Sequence, residues 1–266
     1  MTADPPVTPR SQEHAMQRFQ LDGLVVLVTG ASSGLGAAVA TACSHAGADV
    51  VITARRHERL EATSQELPRC TPIACDLSDD VDRRRLISET HRLVGGPDVL
   101  VNAAGQIVEV ARAEAEATDT LMRTLEVNLV APYRLAQMVQ PHMRARGGGS
   151  IINISSISGI VGIRGIPQAS YAASKRALSG LTTELAGQWG RYGIRVNTIA
   201  AGFFRSEMST DLYANEESIQ WLEQNTPLAR QATPDDFVGA VLWLASNAGS
   251  YVTGQTIVID GGWTIR

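Results

Sequence analysis

Tyr171 and Lys175, in the run Tyr171-Ala172-Ala173-Ser174-Lys175, are the two side chains of this sequence best suited to moving a proton together. On a helix, residues four apart share one face with Cβ atoms about 5–6 Å apart, so a phenol and an ammonium can act on one ligand. Lys175 is the single lysine among 23 basic residues, the rest being arginine. Arginine is planar, bulky and permanently charged, whereas lysine is compact and its pKa moves with its surroundings. Position 175 therefore reads as one where arginine does not serve; the competing explanation is an arginine-rich composition with one leftover lysine. A free phenol titrates at about pH 10, too high for proton exchange at neutral pH, and a neighbouring ammonium favours its ionised form.

A second set of residues suits a phosphate-bearing ligand. The β-branched run 25–28 leads into Thr29-Gly30-Ala31-Ser32-Ser33-Gly34-Leu35-Gly36 and then an alanine-rich helical pattern. Glycines allow a tight turn and close backbone approach to a pyrophosphate, while the helix that follows offers free N–H groups and the positive end of its dipole. The strand-turn-helix context raises this above a merely tight turn. The second strand ends in Ala54-Arg55-Arg56, without the acidic residue that takes a ribose 2′-hydroxyl, so NADP(H) is favoured over NAD(H), with Arg55 at the 2′-phosphate. Arg55 and Arg56 also fit the alternative of solvated charges at a helix start. Asp76-Leu77 and Asn102-Ala103-Ala104-Gly105 follow apolar segments at 72–75 and 99–101, where strand ends face a ligand crevice. Asp76 suits an adenine amino group, or a helix cap, and the small side chains suit packing against a flat ring system.

In order and spacing, TGxxxGxG at 29–36, DL at 76–77, NAAG at 102–105, Asn128, a serine after Ile154 and YxxxK at 171–175 resemble the short-chain dehydrogenase/reductase family over roughly residues 21–262. The resemblance implies one Rossmann-type domain with a seven-stranded, mostly parallel sheet, helices on both faces, and a homotetramer or homodimer. It implies that Lys175 hydrogen-bonds the nicotinamide ribose and that Asn128 holds a water linking Lys175 to solvent. A serine would hold the substrate oxygen. Ser155, Ser156 and Ser158 are candidates: the Ser-x-x-Gly pattern selects Ser156, while the family's usual distance to the tyrosine selects Ser158. Ser156 is preferred, with a two-residue insertion near 163–167, because loops tolerate insertions and strand register does not. After the sixth strand the family's Pro-Gly is replaced by Ala201-Gly202; Gly202, Phe204 and Ser206 are expected at the nicotinamide, Ser206 standing where a threonine often meets the carboxamide.

β-branched runs at 25–28, 50–53, 99–101, 150–154, 195–199 and 256–259 alternate with helical patterns at 35–47, 57–66, 79–94, 117–146, 169–192 and 234–246. That alternation predicts right-handed βαβ units in a doubly wound α/β fold. Residues 1–20 read as a flexible tail, 21–266 as a single dinucleotide-binding domain, and about 203–229 as a substrate lid. Phe203, Phe204, Met208, Leu212 and Trp221 in that stretch suit either a partly apolar pocket or packing.

Net charge is −4, the pI is about 5.8 and no basic block exceeds Arg83-Arg84-Arg85, which leaves no footprint for nucleic acid. Residues 23–48 lack Asp, Glu, Lys and Arg, but the glycine-rich turn at their centre excludes a membrane span. Cys43, Cys70 and Cys75 have no metal-like spacing and fit buried thiols in a reducing, cytoplasmic setting; no metal site is expected. The expected partner is a small alcohol or ketone, and the expected enzyme an NADP(H)-dependent oxidoreductase with Asn128, Ser156, Tyr171 and Lys175 as its catalytic set. Alternatives are an acyl-carrier-protein-linked ketoreductase, with Arg134 as its basic contact, a sugar or polyol dehydrogenase, and a non-catalytic dinucleotide sensor.

Overall fold

Seven β-branched segments line up as parallel strands of one sheet, in the order 3-2-1-4-5-6-7. They are β1 (Val25–Thr29), β2 (Asp49–Ala54), β3 (Cys70–Ala74), β4 (Val99–Asn102), β5 (Gly149–Ser156), β6 (Ile194–Ala201) and β7 (Thr256–Ile259). The structure, a computed structural model, describes residues 15–265. Six strands coincide with the runs read from sequence. β3 was legible only as an apolar segment, because Pro72 interrupts it; a proline is tolerated there since β3 lies at the sheet edge.

Successive residues of the central strands enter different cores, as the period of two requires. Val26, Val28, Val50, Ile52 and Ile152 pack with Val39, Cys43, Phe237 and Val241, from α1 (Gly34–His45) and α8 (Asp235–Ala245). Val25, Leu27, Val51 and Ile151 pack on the other face with Leu86, Leu135 and Leu185. These come from α3 (Asp80–Val94), α5 (Ala131–Ala145) and α6 (Ala169–Trp189). Each such side chain, when fully buried, contributes about 1.5–3 kcal/mol of transfer free energy. α2 (His57–Gln65) covers the β2–β3 end.

The helix expected at 117–146 is divided. It runs as α4 (Thr118–Leu125), a π-helical turn (Glu126–Val130) and α5. Pro132 at the start of α5 has no N–H for the carbonyl four residues back, and the Ala131 N–H reaches the carbonyl of Glu126 instead. The lid region at 203–229, in which no element was foreseen, contains a 3₁₀ turn (Glu207–Tyr213) and α7 (Glu216–Gln224), whose N-cap Asn215 accepts from the Ser218 N–H at 2.8 Å.

Residues 1–14 of the proposed tail lie outside the described residues. Within the described part of that stretch, Arg18 bonds to the body of the fold. Its guanidinium donates to the Asn247 carbonyl at 2.8 Å, and its carbonyl accepts from the Ala248 N–H at 3.1 Å. No helix among the described residues is long and apolar enough to cross a membrane.

The turn after β1 is closed on itself. A Cβ on Gly36 would stand 2.4 Å from the Gly30 carbonyl oxygen, and one on Gly30 would stand 2.7 Å from the Ala104 Cα. Both obstacles are backbone, so neither can swing aside. Gly36→Ala is therefore expected to destabilise the protein by about 1–3 kcal/mol, read as a lowered Tm in thermal unfolding; an unchanged Tm would contradict this packing.

Candidate active site

Six of the seven strands, β1 to β6, send the loops at their carboxyl ends to one cleft of about 1030 Å³. It opens where the strand order reverses between β1 and β4, the crevice in which open α/β sheets hold ligands. Gly30, Ser32, Ser33, Gly34, Leu35, Gly36, Arg55, Asp76, Leu77, Ala103, Ala104, Gly105, Ser156, Tyr171, Lys175, Gly202, Phe204 and Ser206 all line it. Asn102 and Asn128 do not.

At one end the glycine turn is pinned in place. The Gly30 N–H donates to the Thr53 carbonyl at 2.8 Å, and Thr29 Oγ1 accepts from the Ala104 N–H at 3.0 Å. α1 begins at Gly34 without a side-chain cap, so its first-turn N–H groups and positive dipole end remain for an anion. Backbone contacts at Gly30 and Gly36 keep the turn tight, and with the uncapped helix start it fits a dinucleotide pyrophosphate. Arg55 lies exposed at the mouth beside Asp76. Arg56 Nη2 donates to Ser32 Oγ at 3.1 Å and to Ser33 Oγ at 3.3 Å. Asp76 Oδ1 accepts both the Ser78 N–H (2.9 Å) and the Ser78 hydroxyl (2.8 Å), and these bonds hold the carboxyl below its ordinary range. The helix cap is Asp79, which accepts from the Val81 N–H at 2.8 Å.

Asn102 does not point into the cleft, contrary to expectation. It is 2% exposed, and its Nδ2 donates to Asn153 Oδ1 at 2.8 Å, the first link of a buried chain through Thr182 to Thr198. Its place is structural, tying β4 to β5. Phe204, 6% exposed, stacks edge-on against Phe237 and reaches the cleft with little of its surface.

At the other end, Tyr171 and Lys175 sit on one face of α6 beside the end of β5. Lys175 is 4% exposed and donates to the Ile154 carbonyl at 2.8 Å, with Nζ 5.5 Å from the Tyr171 ring centroid. Burial pushes the Lys175 ammonium down to about 8. Burial also pushes the Tyr171 phenol up, and a hydrogen bond with the Ser156 side chain works the other way. From sequence, the lowering of the phenol falls to Lys175 together with the oxidised nicotinamide; in the chain alone, burial prevails. Desolvation dominates because a buried group favours its neutral form.

Ser156 ends β5 and meets the phenol, while Ser155 is turned away, its hydroxyl donating to the Lys175 carbonyl at 2.9 Å. Ser158 accepts from Gln168 Nε2 at 2.8 Å and from the Ser156 hydroxyl at 3.2 Å. Gln168 was not singled out from sequence; its place just before α6 and near Tyr171 is the signal that could have found it.

Asn128 is fully buried in the π turn. Its Oδ1 accepts from the Gln106 N–H at 2.8 Å, and its Nδ2 donates to the Gln106 carbonyl at 2.9 Å and to Ser174 Oγ at 3.0 Å. It shares a wall with the ammonium: a Cβ on Gly105 would stand 3.3 Å from Lys175 Nζ and 3.7 Å from Asn128 Oδ1.

Arg83, read from sequence as part of a basic block, is 3% exposed and joins two walls of the cleft. It donates to the Leu77 carbonyl at 2.5 Å and to Glu126 Oε1 at 2.7 Å. In the segment 203–229, Trp221 packs against Trp263 and Phe203, whereas Phe203 and Leu212 also face the cleft, so packing and pocket readings each hold for part of the set. The Met208 side chain lies outside the described residues. The three thiols are unpaired, Cys43 and Cys75 buried, and burial pushes all three up, to about 12, 11 and 12 for Cys43, Cys70 and Cys75. No cluster of potential metal ligands occurs among the described residues.

A doubly wound parallel sheet, a glycine cradle at its first strand and a tyrosine-lysine pair facing that cradle define an NAD(P)-dependent oxidoreductase. The chain belongs to the short-chain dehydrogenase/reductase family: the family model described as enoyl-(acyl carrier protein) reductase matches residues 30–264. It is 36% identical over 256 residues to the gluconate 5-dehydrogenase of Gluconobacter oxydans, covering 93% of this chain and 97% of that protein. Its identity to a 3-oxoacyl-(acyl-carrier-protein) reductase of Rickettsia conorii is 37% over 245 residues, covering 92% and 98%. Among solved structures, a gluconate 5-dehydrogenase from Burkholderia cenocepacia in complex with NADP and tartrate matches with a TM-score of 0.88 at 36% identity, over 95% of this chain and 100% of that one. These relatives are dehydrogenases and reductases, against the alternative of a non-catalytic sensor.

Proposed function

We propose that this enzyme exchanges a hydride between NADP(H) and a polyhydroxylated secondary alcohol or its ketone. The observation that carries the reading is the meeting, in one cleft, of the Tyr171 phenol and the Ser156 hydroxyl with the Lys175 ammonium anchored behind them. When bound, the cofactor supplies hydride exchange at its nicotinamide, and its oxidised form adds a positive charge that favours the phenolate. In oxidation, Tyr171 takes the hydroxyl proton; in reduction it returns that proton to the carbonyl oxygen. Ser156 holds the same oxygen by hydrogen bond as charge develops there. Lys175 positions the ribose, and Asn128 shapes the wall beside its ammonium.

Arg55 and Arg56, with no acidic residue at the end of β2, support NADP(H) over NAD(H). The polar wall formed by Gln106, Ser158 and Gln168 supports a hydroxylated substrate, as does similarity to enzymes named for gluconate and, at 34% identity over 252 residues, to a D-threitol dehydrogenase of Mycolicibacterium smegmatis. Similarity to the Rickettsia reductase favours the second reading, an acyl-carrier-protein-linked substrate. Arg134, its expected basic contact, is instead committed to Asp80, donating from Nε at 2.9 Å. Family membership supports a homodimer or homotetramer.

The test is a panel of sugar acids, polyols, acyl thioesters and steroid alcohols, followed by the absorbance of reduced nicotinamide with both cofactors. NADP(H)-dependent turnover of sugar acids or polyols is expected. Turnover of acyl thioesters alone would overturn the substrate assignment, and preference for NAD(H) would overturn the assignment of Arg55.

A further inference from the structure

The guanidinium of Arg56 gathers oxygen acceptors from two separate parts of the chain. Besides Ser32 and Ser33 of the glycine turn, Arg56 Nη2 donates to Glu207 Oε2 at 2.8 Å. Arg59 Nη1, one helical turn on, pairs with the other oxygen, Glu207 Oε1. Glu207 opens the 3₁₀ turn of the lid, and the residue before it lies over the glycine turn: a Cβ on Gly34 would stand 3.4 Å from Ser206 Cβ. The lid is thus strapped across the mouth of the cleft by one carboxylate held between two arginines. The two hydrogen bonds hold that carboxyl below its ordinary range, so it is ionised at neutral pH.

We propose that Glu207 occupies the anion position formed by Arg56, Arg59 and Ser32, next to Arg55 along the chain, and that a cofactor 2′-phosphate reaching these arginines displaces it, releasing the strap. This rests on the NADP(H) reading and extends it to the lid. A phosphate carries close to two negative charges, and charge-assisted bonds to a guanidinium bring its oxygens within about 3 Å. A carboxylate already at that distance from the same guanidinium repels it, so the two anions exchange rather than coexist. The exchange is feasible because the side chains of Arg56, Arg59 and Glu207 are 44%, 53% and 50% exposed, and exposed ion pairs are individually weak. A dinucleotide without the 2′-phosphate does not compete and leaves the strap in place, which makes Glu207 a specificity-determining residue.

The test uses adenosine 2′,5′-bisphosphate and 5′-AMP as probes, titrated calorimetrically into the wild-type protein and Glu207→Gln, with trypsin cleavage after the exposed Arg205 as a readout of the strap. Glu207→Gln is expected to bind the bisphosphate on the order of tenfold more tightly, with 5′-AMP unchanged, because two weak pairs no longer compete. The bisphosphate is expected to speed cleavage of the wild type towards the rate that Glu207→Gln shows without ligand. If the wild type prefers the bisphosphate and Glu207→Gln binds it no better, the exchange is wrong while the NADP(H) reading stands. If neither protein distinguishes the probes, both fail. Equal gains for both probes would make Glu207 a general obstruction and overturn its role as an anion mimic.

Discussion

Tyr171→Phe is expected to lower kcat by about 10³-fold while leaving the dissociation constant of the cofactor unchanged. Phenylalanine keeps the ring on its face of α6 and removes only the group that can carry the substrate proton. The variant loses one hydrogen bond, to Ser156, which contributes about 1 kcal/mol, so a fall in Tm of only a few degrees should accompany the loss of turnover. Steady-state kinetics beside a direct cofactor titration separate the two quantities. Retained turnover would remove Tyr171 from the chemistry; loss of cofactor binding would make it a structural residue of the cleft.

The second large effect is at Lys175, where activity and stability should move in opposite directions. Lys175→Arg keeps the charge but needs room that the site lacks, since Nζ already lies 2.8 Å from the Ile154 carbonyl and only 3.3 Å from where a Cβ on Gly105 would stand. It is expected to lower kcat/KM by at least about 10²-fold and to weaken cofactor binding, because a planar fork cannot replace a compact ammonium. Lys175→Met should be equally inactive yet more stable, by on the order of 2 kcal/mol at neutral pH.

The sign of that gain follows from the pKa. Folding pushes the ammonium down from 10.5 to about 8, so between those values the unfolded chain binds the extra proton and stability rises with pH. The penalty for burying the charge is fully present below about pH 8 and is lost as pH rises towards 10.5. The Met variant's advantage in chemical denaturation should therefore be largest at neutral pH and shrink in alkali. A Met variant less stable than wild type at pH 7 would show that the ammonium is well solvated in place.

Much of the architecture was legible because local rules determine it. Runs of Val and Ile need two apolar faces, which only a covered parallel sheet supplies, and six strands fell where the runs lie. The exceptions have local causes too. Pro72 disguised β3, and a π turn just before Pro132 divides a continuous helical pattern, with Asn128 buried inside it.

Order and spacing along the chain were enough to bring nearly every candidate residue to one cleft, since βαβ connections have one handedness and put the strand ends together. What residue types could not specify was the direction and environment of each side chain. Asn102 and Ala103 are neighbours, yet one bonds within the sheet and the other lines the cleft, because β4 ends at Asn102 and the chain leaves the ladder at Ala103. The pKa of Tyr171 is set by how much water folding removes, and that is a property of packing. The Glu207 strap joins residues 151 apart in sequence, a charge pairing that exists only once the lid has crossed the glycine turn. The sequence by itself determined the fold class, the family and the Tyr171–Lys175 pair, because periodicity and motif spacing act over a few residues. The tertiary structure decided which asparagine bonds within the sheet and how Glu207 pairs with Arg56, because those depend on contacts between distant segments.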